Sequence, residues 1–130
     1  MIRHLSIALL VIPAIALADN HRPEDWPEGS AMHTGRSAQV SLAAADKRLN
    51  EIYQKLLRSM PADEPDNFPK TALIAAQRAW IKFRDTECAL VGETEGGVRM
   101  WKSAFDTACQ SQMTDERVER LEKLLTGYEN

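Results

Sequence analysis

Apolar residues recur at spacings of three and four in three blocks of this chain, each closed by proline or glycine. That pattern lays one face of an α-helix against a core. In the first block it runs through Leu42, Ala45, Leu49, Ile52, Leu56 and Met60, with Tyr53 and Leu57 widening the stripe. It predicts a helix from Ser37 that stops at Pro61, whose ring cannot follow a helical turn. The connector PADEPDNFP holds three prolines and three acids and reads as a stiff, solvated loop. A second helix is predicted from Pro69 or Lys70 to about Val91, with Leu73, Ala76, Trp80, Phe83 and Cys88 or Glu87 as its stripe. Gln77 and Arg84 lie directly beside that stripe. GETEGG, Gly92–Gly97, reads as a turn. A third segment from near Val98 carries Trp101, Phe105, Ala108 and Cys109, then Val118, Leu121, Leu125 and Tyr128, with Gly127 as its stop. Thr114 followed by Asp115 and Glu116 resembles a fresh helix start, so one long helix and a kinked pair both remain open. Short connections then imply an all-α fold, a small antiparallel bundle of three or four helices.

Ahead of the helices, the sequence reads as an address followed by a leader. Arg3 precedes an apolar run, Leu5–Ile15, and Ala16-Leu17-Ala18 presents small residues before Asp19, the layout of a cleavable signal peptide over residues 1–18. The run is shorter than the roughly 20 residues that span a bilayer. Residues 19–36 mix Pro, Gly and charge without periodicity and read as a flexible leader with Trp26 as its one large anchor. The helical domain is then 37–130, and the expected location is the periplasm or the exterior. In an oxidising compartment, Cys88 and Cys109 form an expected disulfide across the turn, since no other cysteine is present.

The chain holds 16 basic and 19 acidic groups, and loss of residues 1–18 leaves 15 against 19, or −4. That balance argues against nucleic acid, which demands clustered cations. His21 and His33, twelve residues apart, do not make a zinc site, and GETEGG lacks the Lys and Ser/Thr of a phosphate-cradling loop. No cofactor, metal or catalytic residue is expected, and no membrane association once the signal is removed. Asn50, Gln77 and Arg84 sit on or beside apolar faces, where an unpaired charge is costly. They are expected to form a polar clamp between helices, with Asp46, Glu51 and Glu87 as candidate partners of the guanidinium. An active site made from Arg84, Asp85 and Glu87 is the catalytic alternative, although nearby carboxylates alone do not specify one.

Two residue clusters carry a family resemblance. Leu49-Asn50-x-x-Tyr53 lies in the first helix, and Ala76-Gln77-Arg78-Ala79-Trp80-Ile81-x-Phe83-Arg84-Asp85-x-Glu87-Cys88 in the second, followed by Gly96-Gly97, Cys109, Arg117 and Leu121. From about Ala38 to Leu125 the chain resembles the lysozyme inhibitor LprI-like N-terminal domain family, small exported helical proteins of bacterial envelopes. It departs from that family in lacking a further upstream cysteine pair, with Ser37 near an expected cysteine. The resemblance implies a binding protein that inhibits lysozyme-type muramidases, with a cationic lysozyme or another envelope protein as partner. A mildly acidic inhibitor suits a cationic enzyme, because complementary fields speed association. Exposed acids at Asp63, Glu64 and Asp66, and at Glu93 and Glu95, are the candidate contacts. The alternative is a periplasmic structural or protein-interaction module with no enzyme target.

Overall fold

The computed structural model describes residues 21–129, so the signal peptide expected over residues 1–18 lies outside the described residues. A short 3-10 turn, Pro23–Asp25, precedes three long helices: α1 (Ala31–Ser59), α2 (Pro69–Glu95) and α3 (Arg99–Glu129). Among the described residues the architecture is an all-α bundle, as the periodicity predicts.

The helices run up, down and up. Cys88 of α2 is joined to Cys109 of α3, and Gln77 of α2 meets Arg117 of α3, so these two are antiparallel. Gly35 of α1 lies against Ala104 of α3, while Arg48 pairs with Asp115, so α1 and α3 run parallel. These two lie side by side along much of their length, whereas the backbones of α1 and α2 hardly approach one another. The reason is side-chain size. Ala38, Ala45, Ala104 and Ser111 are all buried and let the parallel pair come close.

The larger apolar residues collect towards the end of the bundle where α1 meets the connector. Leu49, Leu56, Met60, Leu73, Val118, Leu121 and Leu125 form one buried cluster, flanked by Ile52, Tyr53, Leu57 and Trp80. At the opposite end the disulfide links α2 to α3, its sulfurs 3.5 Å and 3.9 Å from the Met113 thioether. Here the chain turns through Gly96 and Gly97. A Cβ on Gly96 would stand 2.4 Å from the Lys102 backbone, and one on Gly92 would stand 2.7 Å from the Lys102 carbonyl oxygen. Glycine at these two places lets α3 fold back directly onto α2.

Several expected boundaries shift. Helix α1 begins at Ala31, not Ser37, because Ser30 Oγ caps it by accepting from the His33 amide at 3.2 Å. Residues 31–36 are therefore helical, and Trp26 is half-buried with its ring 5.8 Å from that of His21. Helix α2 continues past Val91 to Glu95, so most of GETEGG is helix and the corner is confined to residues 96–98. Helix α3 is continuous through Thr114 and Gly127. On α2 the inward line is Leu73, Gln77, Trp80, Arg84 and Cys88, while Ala76 and Phe83 face outward, Phe83 being 57% exposed. Tyr128, expected on the core stripe, is exposed.

Candidate functional site

A polar layer crosses the bundle beside the aliphatic cluster, and Arg84 is its centre. The inward line of α2 carries this side chain between the other two helices, leaving it only 11% exposed. Its Nη1 donates to Asp46 Oδ1 on α1 at 3.1 Å and to Thr114 Oγ1 on α3 at 3.0 Å. Its Nε donates to the neighbouring Asp85 Oδ1 at 2.9 Å. One guanidinium thus touches all three helices. Two carboxylates balance its charge, which is how a charge this enclosed is tolerated. Of the expected partners, Asp46 is engaged; Glu51 and Glu87 are not bonded to it.

Thr114 explains why α3 runs on where a fresh start is expected. Its side chain is fully buried, and Oγ1 both accepts from Arg84 and donates to the Gln110 carbonyl one turn back at 2.7 Å. A threonine bonding to its own helix in this way does not break it.

Trp80 lies between two cations. The Arg84 guanidinium carbon is 5.3 Å from its ring centroid and that of Arg117 is 5.6 Å away. Arg117 Nε donates to Gln77 Oε1 at 3.0 Å across the α2–α3 interface. Burial pushes the Arg117 guanidinium below its ordinary range, and nearby Arg120 adds to this. Asn50 stands apart from these contacts. It is exposed on α1, at the edge of a groove of about 460 Å³ whose other wall includes Ile74, Gln77, Arg78 and Ile81 of α2.

The acidic candidates separate into two groups at opposite ends of the molecule, about 40 Å apart over the 27 residues of α2. Asp63 is committed to its own fold. Its Oδ1 accepts from the Lys70 amide at 2.9 Å, and its Oδ2 accepts from the Thr71 amide at 3.2 Å and the Thr71 hydroxyl at 2.6 Å. It therefore caps α2 from outside the helix, and the Thr71 hydroxyl above all holds its carboxyl below the usual range. Glu64 and Asn67 exchange backbone hydrogen bonds of 2.8 Å and 3.1 Å, so the connector is a pinned loop. Glu64, Asp66 and the 52%-exposed Phe68 point outward from it. At the far end, Glu93 pairs with Lys102, and Glu95 is exposed on the last turn of α2. Phe68 is the residue that sequence reasoning missed, because it is flanked by turn residues and lies off every helical stripe.

Comparison with known proteins gives the family. Residues 27–121, covering the polar layer, both cysteines and the connector, match the family described as lysozyme inhibitor LprI. The chain belongs to that family. It is also 30% identical over 131 aligned positions to an uncharacterized protein of Rhizobium meliloti (strain 1021), covering 94% of this chain and 93% of that protein. No solved structure matches. Among the described residues, no helix is long and apolar enough to cross a membrane.

Proposed function

We propose that this protein is exported to the bacterial envelope and inhibits a lysozyme-type muramidase by binding it. Membership of a family described as lysozyme inhibitors is the observation that carries the reading. The contact we favour is the connector, where Glu64 and Asp66 stand beside the exposed ring of Phe68. An aromatic anchor with acids around it suits a cationic enzyme. Asp63 and the Glu64–Asn67 bonds hold that loop in shape, so little ordering cost remains on binding. Glu93 and Glu95 are too distant to join the same contact with a partner of similar size.

The test is the clearance of a cell-wall suspension by a c-type lysozyme with an equimolar amount of the purified protein. Slowed clearance is expected, lost on Phe68→Ala and weakened at raised ionic strength on Asp66→Lys. Unchanged clearance at low ionic strength removes the proposal. Inhibition that survives both substitutions moves the contact elsewhere.

A further inference from the structure

The groove between α1 and α2 shares Asp46 and Gln77 with the polar layer and adds residues that neither that layer nor the connector uses. Its apolar wall is made by Leu49, Tyr53, Ile74 and Ile81, with Asp46 and Asn50 on the α1 edge and Arg78 on the α2 edge. Gln77 also lines it, a residue only 8% exposed. The Arg117 guanidinium can only donate, so its bond to Gln77 fixes the amide with the oxygen turned to α3. The amide nitrogen then has no partner among the described residues. No fully buried side-chain nitrogen or oxygen there lacks one, so this nitrogen must reach solvent. The open space that Gln77 borders is the groove.

We propose that this groove is a binding site for an N-acylated amide bearing a large apolar side chain, the repeating unit of an extended peptide segment. The charges on its two walls are complementary to a peptide group. The α2 wall supplies donors, the Gln77 amide nitrogen and the Arg78 guanidinium, while the α1 wall supplies acceptors, the Asn50 amide oxygen and the Asp46 carboxylate, whose Oδ1 also serves Arg84. A peptide unit laid across the groove would offer its carbonyl to α2 and its N–H to α1. Its side chain would cover Ile74, Ile81 and the ring of Tyr53. Three of the four apolar residues lining it are aliphatic, which favours a hydrocarbon side chain over a hydroxyl-rich sugar ring. At about 460 Å³ the groove is of ligand-site size. The site does not depend on lysozyme being the partner.

N-acetyl-phenylalanine amide and, separately, N-acetylglucosamine are titrated into the isotopically labelled full chain and followed by NMR. The first is expected to shift the side-chain amide signals of Asn50 and Gln77 and the backbone signals of Tyr53, Ile74 and Ile81. The shifts should saturate with a dissociation constant on the order of 1 mM, as befits a fragment. N-acetylglucosamine should leave these signals in place. Ile81→Glu should weaken the titration at least about tenfold, and Asn50→Ala about threefold. Both positions are exposed, and an unchanged spectrum away from the groove would show that the variants fold. Absence of saturable shifts at these residues, equal or stronger binding of N-acetylglucosamine, or an unweakened titration with Ile81→Glu would overturn the proposal. The clearance assay is independent of all these readings, so failure of the inhibitor role leaves this one standing or falling alone.

Discussion

The two ends of the bundle are held by different means. At the connector end, seven large apolar residues from all three helices interdigitate, and the transfer of their surface from water supplies the stability. At the other end the buried residues besides Cys88 and Thr114 are alanine, serine and glycine, and the larger Trp101 and Phe105, stacked on each other, are only half-buried. The small residues bury little surface each, and a covalent link between Cys88 and Cys109 does what side-chain volume does elsewhere. A short chain has too few large residues to fill a long three-helix rod throughout. Close backbone approach with a disulfide is an economical way to finish it. Arg84 sits where the two regimes meet.

Leu56→Ala should have the largest effect, because that side chain is completely buried in the aliphatic cluster. A loss of about 2–5 kcal/mol is expected in denaturant unfolding. Replacing both Cys88 and Cys109 by Ser should cost about 3 kcal/mol, since the closed loop has a sequence separation of 21. Hydrogen exchange separates the two cases. The cysteine variant should lose protection first in the last turns of α2 and the first of α3, whereas Leu56→Ala should lose it around the connector. Equal loss at both ends in both variants would show that the halves are not distinct.

Ala104→Leu inserts bulk where α1 and α3 touch through a residue only 1% exposed. It should destabilise by about 1–3 kcal/mol, while Ile81→Leu on the open groove should stay within about 0.5 kcal/mol. Arg84→Met keeps the hydrophobic stem and removes the bonds to Asp46 and Thr114, at an expected cost of about 1–2 kcal/mol. The smallest effect concerns Asp63. Its folded carboxyl is held below the usual range, so its contribution is present above the ordinary carboxylate range and is lost as pH falls through the folded value. Comparing urea midpoints between pH 6 and pH 3, Asp63→Ala should show a slightly shallower decline than the parent chain.

How far the sequence discloses this structure differs from helix to helix. In α1 the stripe from Leu42 to Met60 is read correctly, because all of those residues but Ala45 are large and apolar. Its first turns, residues 31–36, are missed because Gly35, which packs against Ala104 of α3, carries no hydrophobic signal. On α2 the rule that apolar residues face inward misleads by about one position. Ala76 and Phe83 fit the rule and face water, while Gln77 and Arg84 break it and face the core. What decides the register is the fixed point at Cys88 together with the partners waiting for Arg84 on α1 and α3. Those partners lie 38 and 30 residues away in the chain, beyond the reach of any local pattern. The same holds for Thr114, which resembles a cap in isolation and is a back-bonded interior residue in context. Of the site, charge narrows the partner of Arg84 to Asp46, Glu51 or Glu87, and only the packing of α1 beside α2 and α3 selects Asp46. The groove is not legible, since it arises from the separation of two helices that sequence reasoning simply assigns to one bundle.

The up, down and up course also sets how the molecule can be handled. Residues near Trp26 share an end with the α2–α3 corner, and the last turn of α3 shares the other end with the Pro61–Phe68 connector. Immobilising the protein through its amino-terminal side on a sensor surface would leave the connector pointing into the flow cell. Attachment through the last turn of α3 would instead lie next to it, so the attachment point alone decides whether a captured enzyme is seen.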